Sequence, residues 1–153
     1  MTVETSLSKF PFNLSDDDMA WVRKTRDGMS TAQKIRQLFV HISIGFNEDE
    51  LAASGAAGFM PVENRDLEKS WATNHKFLST CEIPPFLCQD LEGGGNHRSA
   101  MTDMPNQLAF AAVKDMDLCE AALQVMAKEA SAFGFNWSFT PCIDINQAFR
   151  SAI

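Results

Sequence analysis

Short apolar runs alternate with capped or amphipathic stretches four times along this 153-residue chain, and that alternation limits its fold more than any other feature. The runs are Phe39-Val40-His41-Ile42-Ser43-Ile44, Gly58-Phe59-Met60-Pro61-Val62, Pro85-Phe86-Leu87-Cys88 leading to Asp90, and Phe135 through Ile145, the last interrupted by Pro141. They are too short for helices and rich in β-branched and aromatic residues, so they read as strands. Near-continuous apolar strands suit a sheet covered on both faces, which is the habit of parallel sheets. Strands separated by helical patterns imply βα units and an α/β fold. No helical stretch is readable after the fourth run, so the expected architecture is the first half of a (β/α)8 TIM-type barrel, whose whole length is about 250 residues.

The helical stretches carry their own signals. Ser15-Asp16-Asp17-Asp18 places a cap and acids at the positive end of a helix dipole. Ser30-Thr31-Ala32-Gln33 has capping-box form and leads into Ile35 and Leu38. Asn47 through Ala53 is a short capped helix stopped by Gly55. From Asn64 to Cys81, helical spacing brings Leu67, Trp71, Leu78 and Cys81 onto one face. Pro105 introduces the longest helix, expected from Asn106 to Phe133 and closed by Gly134, with Ala112, Cys119, Ala122, Met126, Ala130 and Phe133 as its apolar stripe.

Composition removes several functions. With 13 Lys and Arg against 20 Asp and Glu, the net charge of -7 leaves no basic patch for phosphates, so nucleic acid is not an expected partner. No run of eighteen apolar residues is present, so no membrane span is expected. Met1-Thr2-Val3-Glu4-Thr5 lacks the basic-then-apolar layout of a signal peptide, which points to the cytoplasm. Cys81, Cys88, Cys119 and Cys142 show no CxxC spacing and fall at apolar or helix-facing positions, so they read as reduced, buried thiols. His41, His75 and His97 are scattered, so neither a metal site nor a cofactor is expected.

The third run ends in Gln89-Asp90-Leu91-Glu92-Gly93-Gly94-Gly95. Acids and glycines weaken strands, and they gather at a strand's end when the loop beyond must approach something closely. In α/β folds the carboxyl ends of the strands are where ligands bind. Asp90 and Glu92 share a side for as long as the chain stays extended. A phosphate-cradling loop would open into a helix with a lysine or helix dipole aimed at the anion. Here two carboxylates occupy that place, so a small phosphate-binding α/β domain is the weaker alternative.

Four blocks in order resemble glycoside hydrolase family 3, in particular its β-N-acetylhexosaminidase branch. Met29-Ser30-Thr31-Ala32-Gln33-Lys34-Ile35-Arg36-Gln37-Leu38 is similar to the family's M-T-x-x-E-K-I-G-Q-L, with Gln33 and Arg36 departing from it. Ile83 through Gly94 resembles I-P-L-x-x-x-x-D-x-E-G-G, Pro105 begins a helix like the one after the family's F-P, and Gly134 through Asn146 resembles G-I-N-x-x-F-A-P-V-x-D-V-N. Glu92-Gly93-Gly94 favours the hexosaminidase branch over the β-glucosidases, which usually carry valine-histidine-glycine there. In the stretch Gly95-Asn96-His97-Arg98, Arg98 keeps the branch's second arginine while Gly95 replaces the first.

The resemblance implies retaining hydrolysis of O-glycosidic bonds, with a carbohydrate partner carrying β-linked N-acetylglucosamine or glucose. It implies an N-terminal extension over residues 1–28 and a partial barrel domain over 29–153. Asp90 corresponds to the aspartate that binds sugar hydroxyls. Glu92, Gly93, Gly94, Arg98 and Asp144 would support the loop, Glu92 and Asp144 by accepting backbone N–H bonds, while His97 reads as a solvated loop residue. The nucleophilic aspartate, the histidine-aspartate acid/base pair and further sugar-holding residues are expected beyond Ile153. No catalytic residue is therefore assigned within the chain, which is expected to be inactive alone and prone to self-association. Asp90 and Glu92 lie too close in sequence to flank a scissile bond as retaining carboxylates do, about 5–5.5 Å apart. A β-glucosidase-type hydrolase and a non-catalytic α/β binding domain remain the alternatives.

Overall fold

The computed structural model describes residues 6–45, 47–61, 66–93 and 101–143. Helix α1 spans Asp16–Gly28 and α2 spans Thr31–Arg36, both opened by complete capping boxes. At α2 the acceptor is an amide where the resembled motif has glutamate. Ser30 N–H donates to Gln33 Oε1 at 2.8 Å, and Gln33 N–H donates to Ser30 Oγ at 3.3 Å. An amide oxygen accepts as a carboxylate does, so the cap survives the exchange.

Strand β1 is Val40–Ile42, followed by α3 at Glu48–Ala53 and β2 at Gly58–Met60. Then come α4 at Leu67–Thr80, β3 at Phe86–Gln89, α5 at Gln107–Ala112, α6 at Met116–Ala132 and β4 at Trp137–Ser138. All pairings are parallel and the order is β1-β2-β3-β4. Sequential order without a switch point is the arrangement of successive strands in a (β/α)8 barrel and differs from a doubly wound sheet. The expected α/β architecture of the first half of such a barrel is the one observed.

Three expected elements differ in detail. The single long helix is two, because Val113 turns extended and Asp115 caps a new start, its carboxylate accepting Leu118 N–H at 3.0 Å. Among the described residues the fourth strand is paired at Trp137–Ser138. Beyond it Thr140 N–H turns to Ser138 Oγ, and Pro141 has no N–H to offer a ladder. On α4 the buried residues are Asn74 and Phe77, while Leu67 and Trp71 stay exposed. Asn74 faces inward because its amide donates to Phe133 O at 2.9 Å, tying α4 to the end of α6. A hydrophobic-spacing argument cannot anticipate a polar residue buried by such a bond.

The core lies between sheet and helices. Leu51, Ala56, Phe59, Phe77 and Leu87 form one cluster, with Phe59 and Phe77 stacked at 4.7 Å. Leu91, Met101 and Ala130 form a second, and Phe135 packs against both. Strand alternation and register put Ile42, Phe86 and Trp137 on the opposite face from Phe59 and Leu87. That face is partly bare, with Phe86 50% and Trp137 43% exposed. Among the thiols, Cys88 and Cys119 are buried, Cys81 is half-buried, and none of the four is joined in a disulfide. Burial pushes the Cys81 and Cys88 thiols up, as expected of packing residues. Cys142 departs from the buried reading and is exposed, because the chain has already left β4.

Gly58 sets the spacing of the sheet. It pairs with Phe86, and a Cβ there would collide with the Phe86 carbonyl oxygen and lie 2.8 Å from Phe86 Cβ. Gly58→Ala is therefore expected to destabilise the fold by about 1–3 kcal/mol, the usual cost of overpacking, read from urea unfolding. An unchanged midpoint would show that β2 and β3 can separate without penalty.

Candidate functional site

β3 stops where side chains take over its backbone bonds. The amide of Asp90 donates to Oε1 of the preceding Gln89 at 3.2 Å, and the next amide, Leu91 N–H, donates to Thr140 Oγ1 at 2.7 Å. Gln89 and Leu91 are both buried, so Asp90 is an exposed residue held between two anchored neighbours at the carboxyl end of the strand. Its Oδ1 accepts from Thr140 Oγ1 at 3.3 Å and from Glu92 N–H at 3.4 Å. Among the described residues Oδ2 has no protein partner. An ionised carboxylate with a free oxygen is a strong acceptor for a hydroxyl brought from outside.

Glu92 turns the other way, toward the chain after β4. Its Oε1 accepts Cys142 N–H at 2.9 Å, a partner beyond the fourth strand and not in the glycine loop. The Cys142 thiol and backbone N–H, with Gln107 adding less, hold the Glu92 carboxyl below the usual glutamate range. Gly93 follows at a φ of 81°, a left-handed conformation that favours glycine. Its carbonyl accepts Met104 N–H at 2.8 Å. Glu129 on α6 holds the same returning segment through Thr102, accepting its N–H at 2.7 Å and its hydroxyl at 2.6 Å. The loop that leaves at Gly93 thus returns to a fixed place.

Gly94, Arg98 and Asp144, with His97, lie outside the described residues. The structure brings Asp90, Glu92 and Gly93 together, and adds two residues that the sequence reading did not single out. Asn136 Oδ1 accepts Leu87 N–H at 2.8 Å, and its Nδ2 donates to Pro85 O at 3.1 Å, which aligns β4 beside β3. Thr140 is the second. The available signal was a poor strand former, asparagine, at the head of an apolar strand. Thr140 carried only its departure from the alanine of the motif, since threonine itself suits strands. Among the described residues no three His, Cys, Asp or Glu side chains are placed to hold a metal ion, and no helix is long and apolar enough to cross a membrane.

Comparison with known proteins adds an independent line. Residues 32–153 match the family model described as the glycosyl hydrolase family 3 N terminal domain. A beta-N-acetylglucosaminidase/beta-glucosidase of Cellulomonas fimi is 32% identical over 151 residues, spanning 96% of this chain and 27% of its own length. The beta-glucoside phosphorylase BglX bound to 2FGlc superposes with a TM-score of 0.75 at 25% identity, covering 94% of this chain and 27% of the phosphorylase. A second structure of that phosphorylase gives a TM-score of 0.72 at 26% identity, over 94% of this chain and 26% of the other. The chain spans about a quarter of the length of these relatives.

The Glu92 clamp has a definite pH dependence. Its folded pKa lies below the unfolded value, so its stabilisation is complete above the ordinary glutamate range, near about 4.3. It is lost as pH falls through the lower value that the clamp imposes. The Tm difference between the wild type and Glu92→Gln is expected to be largest near neutrality and to vanish in that acid window. A difference that does not change with pH would show that the charge of Glu92 adds nothing to the clamp.

Proposed function

Since the chain belongs to glycosyl hydrolase family 3 through its N-terminal domain, we propose that it supplies the sugar-holding part of a retaining β-N-acetylhexosaminidase acting on β-linked N-acetylglucosamine. The observation that carries this reading is Asp90, which sits at the carboxyl end of β3 with Oδ1 occupied by the protein and Oδ2 turned to no described residue. The Glu92-Gly93-Gly94 sequence supports the hexosaminidase branch, and the Cellulomonas fimi relative is named for both N-acetylglucosaminidase and glucosidase action. In this reading the nucleophile and acid/base come from elements outside residues 1–153. Residues 1–28 are then an extension ahead of the barrel domain, and Gly94, Arg98 and Asp144 complete the loop's support.

A retaining mechanism passes through a glycosyl-enzyme intermediate that an acceptor must resolve. The solved relatives are named beta-glucoside phosphorylases, so phosphate is the acceptor to weigh against water. Water releases the free sugar, whereas phosphate gives the sugar 1-phosphate. The bare apolar face at Ile42, Phe86 and Trp137 also favours self-association of the chain when it stands alone.

The test uses the full-length protein with nitrophenyl N-acetyl-β-glucosaminide and the matching β-glucoside, with and without phosphate. Asp90→Ala is expected to cost about 1.5–3 kcal/mol of transition-state binding, read as a fall in kcat/KM. Near-normal kcat/KM in that variant would remove Asp90 from the site, and a requirement for phosphate would select the phosphorylase reading. The 153-residue chain alone is expected to show no turnover. Robust turnover that disappears with Asp90→Ala would place the catalytic pair inside this chain instead.

A further inference from the structure

We propose that Thr140 is a positioning residue for Asp90, fixing its carboxylate through Oδ1 so that Oδ2 is left to meet a sugar hydroxyl. The inference rests on the reading of Asp90 as a sugar-binding residue. A threonine hydroxyl has one proton and can also accept. Here it accepts the short bond from Leu91 N–H at 2.7 Å, which directs its own proton toward Asp90 Oδ1 at 3.3 Å. That second distance is long for a hydroxyl–carboxylate bond, so Thr140 acts by setting the direction of the carboxylate more than by the strength of the bond.

The hydroxyl is itself well placed to hold a direction. Thr140 N–H is tied to Ser138 Oγ at 3.0 Å, the residue is half-buried, and β-branching restricts its side-chain rotation. Leu91, at the other end of the bridge, is buried against Met101 and Ala130. The bridge therefore runs from the packed core, through the exit of β4, to the exposed carboxylate of Asp90 at the end of β3. The motif that this segment resembles reads F-A-P, with alanine at this position. The hydroxyl is a feature of this chain's own sequence, and it makes the carboxylate's orientation depend on the neighbouring strand.

A residue that only stitches the loop would lower stability and leave the kinetics of the folded protein alone. In the full-length protein, assayed on nitrophenyl N-acetyl-β-glucosaminide and β-glucoside, Thr140→Val is expected to lower kcat/KM about tenfold, while Thr140→Ser stays within about twofold of wild type. Thr140→Ala, which matches the motif residue, serves as a second hydroxyl-free variant should valine disturb folding. In an Asp90→Ala background, Thr140→Val is expected to cause no further loss, because the two act through one carboxylate. Thr140 variants that keep wild-type kcat/KM while Asp90→Ala loses it would overturn the inference and leave the reading of Asp90 standing, as would losses that multiply in the double variant. If Asp90→Ala itself behaves as wild type, the reading of Asp90 fails and the role of Thr140 falls with it.

Discussion

The register between β3 and β4 is the constraint on which the rest of the site depends. Among the described residues the strand ladder itself pairs Cys88 with Trp137 and Gln89 with Ser138. So short a ladder is a weak basis for holding two loops in place. Asn136 makes up for it, using its amide side chain for Leu87 N–H and Pro85 O while its own N–H donates to Leu87 O at 3.1 Å. Further along, Phe139 N–H donates to Gln89 O at 3.1 Å, and Thr140 then meets Leu91 and Asp90. A shift of one residue between these strands would break each of these bonds at once. It would also part Glu92 from Cys142.

The two faces of the sheet serve different ends. The face toward the helices is closed by Phe59, Phe77 and Leu87, with the buried Asn74 amide joining α4 to the end of α6. The opposite face carries Phe86, Trp137 and Phe139 in a row of ring contacts at 5.0 and 5.3 Å. Gly58 makes room beneath that row by letting β2 approach Phe86 closely. At the carboxyl ends the backbone passes from ladder bonds to side-chain bonds, and it is there that charge is left available. A cavity lined by Gln33, Arg36, Gly55 and Cys81 lies at the amino ends of β2 and β3, away from Asp90.

Much of this was legible in the chain. The four strands, the caps at Ser15, Ser30 and Asn47, and the exposed aspartate at the end of the third strand all follow from local chemistry, since they depend on residues within a few positions of one another. Gly58 and the split of the long helix at Asp115 were not legible. The first depends on a partner strand, and the second on a break that the apolar stripe runs across.

What the sequence by itself determined is the alternation of strands with helices, the order of the four strands, and an aspartate, Asp90, at the end of the third. What only the tertiary structure decided is how that carboxylate is held. Thr140 lies 50 residues from Asp90, and Cys142 lies 50 from Glu92, so each contact exists only because β4 lies parallel to β3 in one register. Hydrogen bonds are short and directional. Side-chain pairs so far apart in sequence come within their reach only after burial has brought the strands together, and no local pattern of residues encodes that approach.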